Sequence, residues 1–89
     1  MHAIAVRVSI SDIEAAQKAL KEMVVPRVSQ SPGFVAGYWT RSDDGRNGQA
    51  MIVFESEDAA RTAADALSAH VPEGVTLESA EVREVVANA

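Results

Sequence analysis

Cysteine is absent from this chain of 89 residues, which excludes a disulfide framework, a thiolate metal site and a cysteine nucleophile. A reducing compartment suits such a chain, and the cytoplasm is its expected location. Basic residues are few and scattered: eight Lys and Arg against thirteen Asp and Glu leave a formal charge of −5. With no Lys/Arg cluster to neutralise phosphates, neither nucleic acid nor an anionic membrane is an expected partner. No apolar run approaches the roughly 20 residues a spanning helix requires. The opening Met1-His2-Ala3-Ile4-Ala5-Val6-Arg7 meets an arginine before any signal-type apolar core could form. A Gly-rich phosphate loop, a His cluster and catalytic-triad spacing are also missing, so no metal and no cofactor is expected. Small molecules and protein surfaces remain.

What is present reads as one domain over residues 1–89. A chain of this length buries only about 60 to 65% of its unfolded surface, so a partner subunit would add materially to its stability. Ile4, Val6, Val8 and Ile10 alternate with Ala3, Ala5, Arg7 and Ser9, the period of two of a strand. Ser11-Asp12-Ile13-Glu14 reads as a capping box opening a helix, and Ile13, Ala16, Leu20 and Val24 continue it at helical spacing. Pro26 is expected to end or kink that helix near Val25, leaving an irregular segment through Ser31. Phe34 to Arg41 suits a second strand. Ser42 to Gly48 is a polar hairpin connection, and Ala50-Met51-Ile52-Val53-Phe54 is a continuous apolar third strand. Ser56 caps a second helix with Glu57 and Asp58 in its first turn. Pro72-Glu73-Gly74 turns into a fourth strand, roughly Val75 to Ala87.

The order is βαββαβ, two βαβ halves that each run from a strand into a serine-capped helix. Interleaved through right-handed crossovers, such halves form an α+β domain with an antiparallel sheet of order 4-1-3-2 and both helices on one face. Two helices cover one sheet face only, yet strands 2 and 3 are apolar on both parities. If about 600 Å² of apolar surface lies on the open face, its burial is worth on the order of 15 kcal/mol gross. Association costs about 4 to 15 kcal/mol, so a homodimer through that face is the expected assembly. Matching the halves by their serine caps puts Ala3, Ala5, Arg7 and Ser9 on the open face together with Ala50, Ile52 and Phe54. Small residues there leave room for a cavity holding a small apolar or aromatic molecule. Hairpin register decides whether Tyr38 or Trp39 faces that cavity.

At Pro32-Gly33-Phe34, at Val53-Phe54-Glu55-Ser56-Glu57-Asp58-Ala59 and in the closing Val82-Arg83-Glu84-Val85-Val86, the sequence resembles the dimeric α/β-barrel superfamily and most of all its antibiotic-biosynthesis-monooxygenase-like branch. The resemblance covers most of the chain and implies a ferredoxin-like domain that pairs sheet to sheet into a dimeric α/β barrel. It also implies an alternative function, a cofactor-independent monooxygenase acting on a phenolic or quinol substrate. That branch often carries Asn-x-x-x-Trp-x-Ser in strand 3; with the serine at Ser56, the Asn and Trp places are taken by Ala50 and Phe54. The haem-degrading relatives use a strand 1 asparagine, a helix 2 tryptophan and a histidine beyond it. Here the helix position falls near Ala63, and His70 sits a few residues early.

Four residues are the candidate ligand contacts: Arg7, Tyr38, Trp39 and Phe54. The aromatics would stack on a flat ring, with core or interface filling as the competing reading. Arg7, set in a small apolar strand face, would orient a carboxylate or phenolate, or else pair with a strand 4 glutamate such as Glu78. Arg41 reads as a solvated strand end, and His70 as a complement to the helix dipole. No residue is assigned a catalytic role.

Overall fold

The computed structural model describes all 89 residues. Strand β1 (His2–Ile10) leads into α1 (Ile13–Ala19), a π-helical turn (Leu20–Val24) and α2 (Val25–Ser29). Strands β2 (Phe34–Arg41) and β3 (Asn47–Phe54) form a hairpin, and α3 (Glu57–Ala69) and β4 (Val75–Glu84) follow. All pairings are antiparallel and the sheet order is β2-β3-β1-β4, the expected 4-1-3-2 read from its other edge.

Local chemistry sets the helix ends. Ser56 takes an extended conformation and its hydroxyl accepts from the Ala59 N–H at 3.1 Å, capping α3 as the sequence predicts. In the first helix the cap falls one residue later than expected: Asp12, not Ser11, accepts from the Ala15 N–H at 3.1 Å. Ser11 is drawn instead into the turn before β4, where its N–H donates to the Gly74 carbonyl at 2.9 Å.

Pro26 does not end the helix. The chain widens into the π turn, and the Val25 N–H reaches back five residues to the Leu20 carbonyl. A wider turn removes the demand for the N–H that proline lacks and gives its ring room beside the preceding carbonyls. α1, the π turn and α2 therefore run on as one helical rod as far as Ser29, where an irregular segment was expected.

Paired residues in an antiparallel sheet share a face, so the register sorts the side chains into rows. Under the helices lie Gly37-Ile52-Ile4-Val82, Trp39-Ala50-Val6-Ala80 and Arg41-Gly48-Val8-Leu77. On the other face lie Ala36-Val53-Ala3-Arg83, Tyr38-Met51-Ala5-Glu81 and Thr40-Gln49-Arg7-Ser79. This corrects the expected partners of the open face: Ala3, Ala5 and Arg7 stand beside Val53, Met51 and Gln49, whereas Ala50, Ile52 and Phe54 face the helices. Halves aligned by their serine caps misjudge the offset between β1 and β3, and an offset of one residue exchanges the faces.

The core joins Ile4, Val6, Ile52 and Phe54 of the sheet to Val28 of α2 and Ala60, Ala63 and Ala64 of α3. Alanines on α3 allow the helix to approach the sheet closely. Gly33 (φ +80°) lets the Pro32-Gly33 turn fold against α3, where an added Cβ would lie 2.9 Å from that of Ala59. Only 11 of 89 residues are buried. So thin a core makes the two unfilled regions, a cleft under the helices and the bare outer face, the places to look for function.

Candidate functional site

Between the sheet and the helical rod lies a cleft of ≈ 580 Å³. Its floor is the inner face of the sheet, from Val6 and Val8 across Gly48 and Ala50 to Trp39; its roof is Ile13, Ala16, Leu20 and Val24 of the rod. Leu67, His70, Val71 and Leu77 close the far side. The space exists because the floor is built of small residues where the rod passes over it. A Cβ at Gly48 would already meet Val8 Cγ2 at 3.2 Å. No residue of α1 or the π turn is buried, and of their side chains only Val24, at the end of the turn, packs against the core.

Trp39 owes its pose to Gly37. An added Cβ at Gly37 would lie 2.7 Å from Trp39 Cη2, so the indole's six-membered ring occupies the space over the glycine and packs against the core, forming the inner wall of the cleft. Two residues on, Arg41 projects from the same face and reaches the roof: Nη1 donates to Gln17 Oε1 at 3.3 Å. This hydrogen bond ties β2 to α1 across the mouth. Asp43, Ser42 and Gln49 border the same opening. Apolar walls with a few polar groups at one end suit a small flat molecule, since such ligands gain affinity from burial and orientation from the polar end.

The four candidate contacts do not converge. Trp39 lies in the cleft and Phe54 at the buried opposite end, edge-on to Phe34 with ring centroids 6.1 Å apart. Tyr38 and Arg7 are on the outer face, Tyr38 at 73% exposure. The expected Arg7–Glu78 pair is not formed: Glu78 accepts from the Ser9 hydroxyl at 2.7 Å, and the only ion pairs are Arg61–Glu57 and Arg83–Glu81. Arg7 instead borders a polar hollow of ≈ 190 Å³ with Ser9, Arg46, Asn47 and Glu78. Arg41 is the exposed strand end that the sequence suggests, but its contact with Gln17 and its place at the cleft mouth are not read from the sequence. The available signal was parity, because any register that turns Trp39 inward turns Arg41 inward too.

In the hairpin loop the Ser42 hydroxyl, and then the Arg46 N–H, hold the Asp44 carboxyl below its ordinary range. Glu57 is lowered by the hydrogen bond and charge of Arg61. His70 caps the C-terminus of α3 through its backbone N–H, which donates to the Ala66 carbonyl, and the residue borders the cleft. No three His, Asp or Glu side chains gather in a way that would hold a metal ion. No helix is long and apolar enough to cross a membrane.

No protein-family model matches the sequence, and no curated protein matches it. Solved structures do. SnoaB, a cofactor-independent oxygenase from Streptomyces nogalater, matches with a TM-score of 0.72 at 20% identity over 98% of this chain and 94% of that one. A dimeric ferredoxin-like protein from an uncultured marine organism gives 0.62 at 8% identity over 100% and 98%. The fold is ferredoxin-like. A third match to this ferredoxin-like chain is MhuD, a heme-degrader from Mycobacterium tuberculosis; its structure with two manganese protoporphyrin IX per active site gives 0.61 at 21% identity over 98% and 97%. The resemblance read at Pro32-Gly33-Phe34 and around Ser56 thus holds for the ferredoxin-like fold. Fold at such identities carries no chemistry with it.

Proposed function

We propose that this chain is a homodimeric binding protein for a small flat apolar or aromatic molecule, held in the cleft under the helices. The observation that carries the reading is the cleft itself: ≈ 580 Å³, walled by aliphatic side chains, with one indole inside and one guanidinium at the mouth. Its size falls within the roughly 300 to 1,000 Å³ of small-molecule sites.

The dimer part rests on the outer face. Tyr38, Met51, Ala5, Ala36, Val53 and Ala3 form two apolar rows across three strands, with Tyr38 73% and Met51 46% exposed. A second copy is the partner best matched to such a face, because a two-fold axis sets the same apolar rows against each other. Arg7 and the polar residues of β4 would then lie towards its rim. The dimeric state of one ferredoxin-like match is consistent with this.

Trp39 is the only tryptophan, so its fluorescence reports the cleft directly. Titration with a quinone quencher such as 1,4-naphthoquinone should quench it saturably, and quenching that rises linearly without saturation would reject the site.

A second reading, a cofactor-independent monooxygenase acting on a phenol or quinol, is favoured by the match to an oxygenase of that type. Within the cleft the side chains of Asp43 and His70 form no hydrogen bond or ion pair with each other or with Arg41, so no proton relay supports it, and binding is preferred. Oxygen uptake above the protein-free rate with 1,4-naphthohydroquinone, lost in Trp39→Ala, would reverse that preference.

A further inference from the structure

The mouth of the cleft points to what its ligand carries. A guanidinium offers five N–H donors, and Arg41 commits one, to a neutral amide oxygen. No carboxylate of the chain pairs with it, although Asp43 borders the same opening. Exposed at the rim of an apolar cavity and held by a neutral partner, Arg41 has its charge met by water rather than by a protein anion, which leaves it free to take a ligand's. Charge-assisted, two-point hydrogen bonds to a planar anion are the interaction a guanidinium makes best.

We propose that Arg41 anchors the carboxylate of a flat apolar acid whose ring system lies in the cleft towards Trp39. The inference rests on the cleft being the binding site. Arg41 and Trp39 are two residues apart on one face, about 6.6 Å along the strand, a span that a fused two-ring acid bridges. Gln17 acts as the positioning residue: its amide fixes the guanidinium between β2 and α1. A monoanion fits better than a phosphate, since this is the single cation of the cleft mouth and Asp43 stands nearby. The net charge of −5 repels anions in general, so a preference for an acid would have to come from a local contact.

Calorimetric titration of the intact protein with 2-naphthoate and with its neutral counterpart 2-naphthylmethanol tests this. Wild type should bind the acid at least about tenfold more tightly, the scale of a charge-assisted pair. Arg41→Gln should bring the ratio to one or below. Arg41→Lys, which keeps the charge and loses the fork, should retain part of the preference. The exposed position of Arg41 makes both variants compatible with folding. Equal affinities in wild type, or a preference that survives Arg41→Gln, would overturn the proposal while leaving the cleft as a site for neutral rings. If neither compound binds wild type, the cleft reading falls and this inference with it.

Discussion

Tyr38 and Trp39 are neighbours in β2 that point to opposite sides of the sheet: Tyr38 stands beside Met51 and Ala5 on the bare face, Trp39 beside Ala50 and Val6 under the helices. In the proposed function assembly and ligand binding would use separate faces, so substitutions at adjacent positions should separate them.

Tyr38→Glu would place an unpaired carboxylate within the apolar rows of the outer face. Burying it costs more than about 1.4 kcal/mol, so the dimer dissociation constant should rise at least about tenfold. Sedimentation velocity across a concentration series measures this, with Trp39→Phe as the matched change on the other face, expected to leave the dimer intact. A wild-type chain that sediments as a monomer at micromolar concentration would remove the dimer from the proposed function.

Ala16 lies in the roof of the cleft, on a helix with no buried residue. Ala16→Leu should fill part of the empty space and stabilise the unliganded protein by about 1 to 2 kcal/mol, at roughly 0.8 kcal/mol per buried methylene. Binding of 1,4-naphthoquinone should weaken in parallel. Chemical denaturation read against the same fluorescence titration gives both numbers, and a loss of stability would mean that the roof is already packed.

The displaced cap makes a prediction about α1. Asp12→Ala removes the acceptor for the Ala15 N–H and should cost about 1 kcal/mol. Ser11→Ala removes a hydroxyl that caps nothing and should cost a few tenths. Equal costs in urea melts would restore the serine cap expected from the sequence.

Asp44 contributes to acid sensitivity. Its folded carboxyl is lowered by the Ser42 hydroxyl at 2.7 Å and the Arg46 N–H at 3.0 Å. A lowered carboxylate stabilises the fold above its ordinary value, and that contribution is lost as pH falls through the lowered folded value. Thermal midpoints recorded between about pH 5 and pH 2 should drop less steeply in Asp44→Asn than in wild type. Parallel curves would mean that the loop carboxylate is ionised alike in the folded and unfolded chain.

Much of this was legible in the residues. Period-two alternation in β1, the Ser56 cap and the Pro32-Gly33 turn are local signals, and each fell where it was read. The helix at Pro26 was misread because a proline's local effect was taken as final, whereas one wide turn absorbs it at Leu20–Val24. Arg41 is exposed, as a charged residue at a strand end suggests; its hydrogen bond to Gln17 is not legible locally, because it depends on the rod above continuing past Pro26.

Order of elements, the two-halved plan and the surplus of apolar residues in the hairpin follow from the sequence by itself, because they depend on periodicity, caps and turns within a few residues. Which face each side chain took was decided only by tertiary pairing. Val35 interrupts the β2–β3 register between Phe34 and Ala36, so Phe34, Gly37 and Trp39 share the inner face although simple alternation would divide them. One extra residue in a strand reverses every side chain beyond it, and no local pattern announces where the partner strand will tolerate it.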